Sequence, residues 1–120
     1  MNQVLLIGRL TKDPEVRWDN NDFAVAKFTL AVNRPAKKDG QEADFIRIVY
    51  FGKQAETVQK YCFKGQMVGV SGRIQTGSYT NKDGQKVYTT DVVGDRLDIL
   101  EWKEKRETAG TDWQEDQFKF

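Results

Sequence analysis

Apolar and polar positions alternate with a period of two along much of this chain. Between Phe23 and Asn33, Ala24, Ala26, Phe28, Leu30 and Val32 point one way, and Phe23, Val25, Lys27, Thr29 and Ala31 the other. Successive side chains of a strand face opposite sides, so the first set reads as core. The stretch from Asp44 to Lys53, rich in β-branched and aromatic residues, divides the same way. Ile46, Ile48 and Tyr50 make an apolar side, while Phe45, Arg47, Val49 and Phe51 make the other, with Lys53 just past the end. Two large rings with an arginine between them are more than a water-facing side requires. Such a side fits a flat, anionic ligand: bases stack on rings while lysine and arginine follow the phosphates. The alternative is a central sandwich strand covered by protein on both faces.

The rest of the chain fills in around these two strands. Asn2 to Leu10 reads as a first strand apolar on both faces at its centre, which implies that one side meets another subunit. Thr11 to Asp22 holds turns around a short extended piece containing Arg17 and Trp18; Trp18 reads as a cap on an open barrel end ahead of a stacking ring. Arg34 to Ala43 is a polar loop with Pro35, Lys37 and Lys38, either a flap over a binding face or simply solvated. Gln54 to Phe63 changes period, with Ala55, Val58 and Cys62 at helical spacing and Lys64-Gly65 as a stop. Met67 to Gln75 returns to a strand, with Val68, Val70, Gly72 and Ile74 inward, Arg73 outward, and Gly69 and Gly72 marking a bulge or strong curvature. Thr76 to Val87 is a hairpin around Asn81-Lys82-Asp83-Gly84 with Tyr79 and Tyr88 flanking its tip, and a last strand runs to Leu100, interrupted near Gly94.

Three strands, one helix and two strands with a long hairpin predict an all-β chain with one short helix. The matching architecture is the OB-fold, a five-stranded, partly open Greek-key barrel whose second and third strands hold oligonucleotides or oligosaccharides. The expected division is a folded domain over residues 1–102 and a short, disordered, acidic tail over 103–120.

Charge sharpens this division. The chain carries 19 basic and 18 acidic side chains, a net charge of +1, which taken whole argues against a strongly basic nucleic-acid binder. Residues 1–106, however, hold 18 basic and 14 acidic groups, while 107–120 hold Lys119 against Glu107, Asp112, Glu115 and Asp116. A mildly basic body is followed by an acidic end. Cys62 is the only cysteine, so no internal disulfide forms and a reducing compartment is expected, with the thiol a buried packing group. Val4-Leu5-Leu6-Ile7, the longest aliphatic run, is too short to cross a bilayer, and no signal peptide is read at the start; the expectation is a cytoplasmic protein with no membrane partner.

Catalytic chemistry is poorly supplied. The chain has no histidine, which removes the commonest general base and metal ligand, and one cysteine cannot build a thiolate zinc site. Gly69-Val70-Ser71-Gly72-Arg73 only faintly resembles a nucleophile elbow, without its second glycine and without a histidine to activate Ser71. There is no Gly-x4-Gly-Lys phosphate loop. The expectation is a non-enzymatic protein without cofactor or metal.

Five co-linear motifs carry a family resemblance over about residues 1–100: Met1 to Leu10, Asp13-Pro14-Glu15-Val16-Arg17, Phe28 to Arg34, Phe51-Gly52-Lys53-Gln54-Ala55-Glu56, and Tyr88-Thr89-Thr90-Asp91-Val92-Val93. In these the chain resembles the bacterial single-stranded DNA-binding proteins. The resemblance implies an OB-fold homotetramer, dimerised through its first strand, over which single-stranded DNA wraps regardless of sequence. It implies that Phe45 and Phe51 stack on bases, with Tyr79 a third ring at the root of the hairpin. Arg47, Lys53 and Lys64 fall on phosphate-contacting positions and Arg17 joins them; Arg34, Lys37 and Arg73 complete the expected cationic set. Three departures stand out. Pro35-Ala36-Lys37 replaces a loop aromatic, and Gln75, Gly77 and Ser78 replace positions that are often basic. The tail, with Asp112, Glu115, Asp116, Phe118 and Phe120 as its partner-docking residues, is short, carries Lys119 and lacks a closing proline, which fits an accessory paralogue or a phage- or plasmid-borne member. The expected role is to hold exposed strands during replication, recombination or repair. An OB-fold protein-interaction module using the same rings and the tail is the second reading, and oligosaccharide binding the third.

Overall fold

The computed structural model describes residues 1–35 and 42–102. Its elements in chain order are β1 (Val4–Leu10), β2 (Glu15–Trp18), β3 (Ala24–Asn33), β4 (Ala43–Phe51), α1 (Lys53–Tyr61), β5 (Met67–Thr80) and β6 (Lys86–Ile99). β1 pairs with β5, β5 with β6, β6 with β4, β4 with β3, and β3 returns to β1, so five strands close a ring. All joins are antiparallel except β4–β6, which is parallel and rests on Ile48↔Val92 and Val49↔Val93 alone. This is the expected OB-fold barrel. The short extended piece is a sixth strand, β2, laid along the half of β3 that β1 leaves unpaired: β2 covers Ala24 to Lys27, and β1 takes Leu30 and Ala31.

The core follows the alternation. Ala24, Ala26, Phe28 and Leu30 of β3 and Ile48 and Tyr50 of β4 are buried, with Ile46 and Val32 partly so. Phe28 and Tyr50 lie ring to ring at 6.2 Å. The Tyr50 hydroxyl donates to the Arg96 carbonyl at 2.7 Å, satisfying a group whose burial pushes its pKa well above that of an ordinary phenol. Ala55 and Val58 of α1 pack on this core, and Cys62, just past the helix, is buried with them as expected. On β1 the two faces differ in fate. Val4 and Leu6 pack on the core, whereas Leu5 and Ile7 are 70% and 61% exposed.

Two inward or outward assignments change. Val49, on the same side of β4 as Phe45 and Phe51, is buried, because that row is hemmed in by Lys27 on one flank and Val93 on the other. Ile74, expected inward, is exposed. The β1–β5 ladder ends at Val4↔Gly72, so the ribbon has no second layer over Ile74, although Asn2 grips its backbone with two hydrogen bonds of 2.9 Å. The expected interruption near Gly94 is a β-bulge: Ser71 pairs with Arg96 and Gly72 with Gly94, leaving Asp95 as the extra residue. Gly94 lies flat on the Tyr50 ring, where a side chain would collide with Cε1 and Cζ.

Candidate nucleic-acid interface

Strand register carries side chains across the barrel in rows. Arg17, Val25 and Phe51 form one row, and Glu15, Lys27, Val49, Val93 and Arg73 the next. Thr29 and Arg47 follow, then Ala31 and Phe45. Phe45 is 67% exposed and Phe51 41%, so both rings of the central strand face water rather than the core. Beside Phe45, and reaching along β4 as far as Val49, opens a groove of about 510 Å³, lined among others by Lys12, Glu15, Lys27, Phe45, Arg47 and Asp91. An open concave surface with separate rings and cations can take an extended chain of flat, charged units. It is poorly made for enclosing a small molecule.

The cations differ in what they are free to do. Arg47 Nε donates to Asp91 Oδ1 at 3.1 Å, so its charge is half-answered from β6. Arg34 is held by Asp44 at 2.7 Å and approaches Glu42 at 3.8 Å. The hydrogen bond between them raises the Arg34 pKa and holds the Asp44 carboxyl below the usual aspartate range, so this pair survives mild acid and breaks only as Asp44 takes up a proton. Arg17, Lys53, Lys64 and Arg73, together with the groove lysines Lys12 and Lys27, have no ion-pair partner among the described residues. Lys53 opens α1 directly after the Phe51 turn. Lys64 lies beyond the helix, where its backbone N–H donates to Asp13 Oδ1 at 2.8 Å beside the groove mouth. Arg73 turns its Nη2 to Gln75 Oε1 at 3.2 Å.

Tyr79 is exposed and pairs with Val87, one step from the last strand pair of the hairpin. It stands near the tip of the arm and not at its root. The regular alternation from Arg73 onward keeps it on the groove side, while Tyr88 takes the opposite side with the Lys86 ammonium 5.6 Å from its ring centroid. Trp18, at the end of β2, is only half covered. Lys37 and the tail residues Asp112, Glu115, Asp116, Phe118 and Phe120 lie outside the described residues.

The model of the single-strand binding protein family matches residues 1–100. Single-stranded DNA-binding protein 3 of Clostridium acetobutylicum is 58% identical over 104 residues, covering 85% of this chain and 72% of the relative. The single-stranded DNA-binding protein of Clostridium tetani is 53% identical over 111 residues, with 91% and 77% covered. That of Staphylococcus aureus strain MRSA252 is 52% identical over 110 residues, with 90% and 70% covered.

The chain belongs to the single-strand binding protein family. Family membership agrees with the OB-fold barrel and with the expectation of a non-enzymatic protein. In this family member, the groove brings together Phe45 and Arg47, and Phe51 with Arg17 lies two rows beyond Arg47 on the same side of β4. The groove leaves Lys64 at the mouth and Arg34 engaged at the far end of β3. Sequence reasoning passed over Lys27 and Lys12, which line the groove, Asp91, which pins Arg47, and Phe23, whose ring stacks on Phe51 with centroids 6.2 Å apart. Lys27 and Phe23 were legible as lying on the outward side of β3. Only the register Val25↔Phe51 shows what they stand beside.

Proposed function

We propose that this chain binds single-stranded DNA without sequence preference and keeps it from re-annealing and from nucleases during replication, recombination and repair. The supporting observation is the pair of water-exposed rings, Phe45 and Phe51, set on one face with Arg47, half-answered by Asp91, between them and Arg17 and Lys53 beside Phe51. Stacking on such rings contributes roughly 1–3 kcal/mol per base and ignores sequence because every base has a π-face. Arg17, Arg47, Lys53 and Lys64, with Arg73 and Lys37, contact phosphates, adding a term that weakens with salt as counterions are released. Tyr79 supplies a third ring from the arm, over which a strand leaving the groove passes. Residues 1–102 are the binding domain, and 103–120 form the acidic tail that docks replication and repair proteins. The working form is a homotetramer dimerised through the exposed Leu5 and Ile7 side of β1, acting in the cytoplasm on the nucleoid.

Size-exclusion chromatography with light scattering, with and without a long oligo-dT, tests this. The expected result is a tetramer mass that shifts to a stoichiometric complex. A particle that ignores the strand leaves the protein-interaction reading in its place.

The Arg47–Asp91 pair offers a finer check. Asp91→Asn removes the acid that answers Arg47 and reduces the negative charge of the groove. Affinity for oligo-dT at low salt is expected to rise several-fold, with a log–log salt slope steeper by about one. An unchanged slope would show that Arg47 does not meet a phosphate.

A further inference from the structure

Phe23 precedes β3, yet it completes the aromatic end of the central strand. Its ring and that of Phe51 lie 6.2 Å apart between centroids, with planes 18° from parallel. Each covers part of the other, and Phe23 still leaves 45% of its surface to water. The turn that presents it is fixed. Asp19 Oδ1 accepts the N–H of Asn21 at 2.8 Å and of Phe23 at 2.9 Å, and the Asp19 N–H donates to the Phe23 carbonyl at 3.0 Å. Asp22, immediately before, holds φ at 63°, a left-handed conformation that a non-glycine residue rarely takes. The two rings therefore form a preset apolar edge. Arg17 stands in the same row as Phe51, and Lys53 follows Phe51 by two residues; neither cation has an acidic partner among the described residues.

We infer that Phe23 extends the Phe51 platform, so that an unpaired base stacks on the outer ring face of the Phe23–Phe51 pair while Arg17 and Lys53 hold the flanking phosphates. The inference rests on the reading of this chain as a single-stranded DNA binder. It carries the strand path off β4 and over the β2–β3 turn. The occupant is DNA and not a second copy of the chain, because the platform continues the groove along β4 through Val49 and its Phe51 side carries the two cations Arg17 and Lys53, as phosphates require and an apolar subunit contact does not; Asp19 and Asp22 confine the phosphates to that side.

The test uses the full chain with a short oligo-dT carrying 5-iodouracil. Phe23→Ala is expected to raise Kd about fivefold or more, with an unchanged salt slope, since a ring and not a charge is lost. Phe23→Leu, which keeps an apolar contact to Phe51 but has no π-face, is expected to weaken binding similarly, and Phe23→Trp to retain it. Irradiation of the unaltered protein is expected to give an adduct on Phe23 by mass spectrometry. Binding by both the Ala and Leu variants within about twofold of the unaltered protein overturns the inference, as does an adduct on Phe45 with none on Phe23. A change in assembly mass without a change in Kd also overturns it, by making Phe23 a subunit contact. If the unaltered protein fails to bind oligo-dT at low salt, the functional reading falls and this inference with it. If it binds and only Phe23 proves silent, the functional reading stands alone.

Discussion

Replacing Phe45 and Phe51 together with alanine is expected to weaken oligo-dT binding about a hundredfold, while circular dichroism and cooperative unfolding are retained. Each ring contributes roughly 1–3 kcal/mol to a stacked base, and each 1.4 kcal/mol is about tenfold in affinity, so two lost platforms account for that magnitude. The fold has little to lose. Phe45 is two-thirds exposed, and Phe51, which is more exposed than any core residue, gives up chiefly a ring contact with Phe23, which for an aromatic pair is worth about 0.5–1.5 kcal/mol. A titration followed by fluorescence anisotropy, beside a thermal melt, reads both quantities. Unchanged affinity would mean that the rings serve packing or assembly and that the strand runs elsewhere.

The second large effect falls on stability. Gly94→Ala is expected to destabilise the domain by about 1–3 kcal/mol, because the new methyl group must occupy space held by the Tyr50 ring. Tyr50 cannot retreat easily. It is fully buried, stacked near Phe28, and tied through its hydroxyl to the Arg96 carbonyl. For a domain of this size each 1 kcal/mol lowers the melting temperature by roughly 4–8 °C. Gly77→Ala on the exposed arm, where a methyl group would meet only the Thr89 hydroxyl at 3.3 Å, is the control and should move the melt little. Equal melts for the two variants would show that the bulge at Asp95 opens freely enough to relieve the collision.

The strands were legible because β3 and β4 each present a clean two-residue period, and the helix because Ala55, Val58 and Cys62 break it. Faces of a strand can be read this way; neighbours cannot. Val49 looked like part of the open side, and only its place between Lys27 and Val93 buries it. Ile74 looked inward because it continues the alternation of Val68 and Val70, but the sequence does not say where β1 stops covering β5. The engagement of Arg47 by Asp91 depends on pairing between residues 44 positions apart. Phe23 and Phe51 are likewise joined by register and by a turn whose left-handed Asp22 no composition rule flags. The aromatic and cationic content of the site was therefore visible in the chain, and its connectivity was supplied by the barrel.

The most direct measurement compares labelled oligo-dT, alone and annealed to oligo-dA, over a range of salt concentrations. Rings that stack on free base faces predict tight binding of the single strand and at least about hundredfold weaker binding of the duplex, whose bases are already stacked. Single-strand affinity should fall linearly on a log–log salt plot, with a slope of about −0.7 for each phosphate neutralised. Equal affinity for both forms, or none for the single strand at low salt, would contradict the assignment of this face to unpaired DNA.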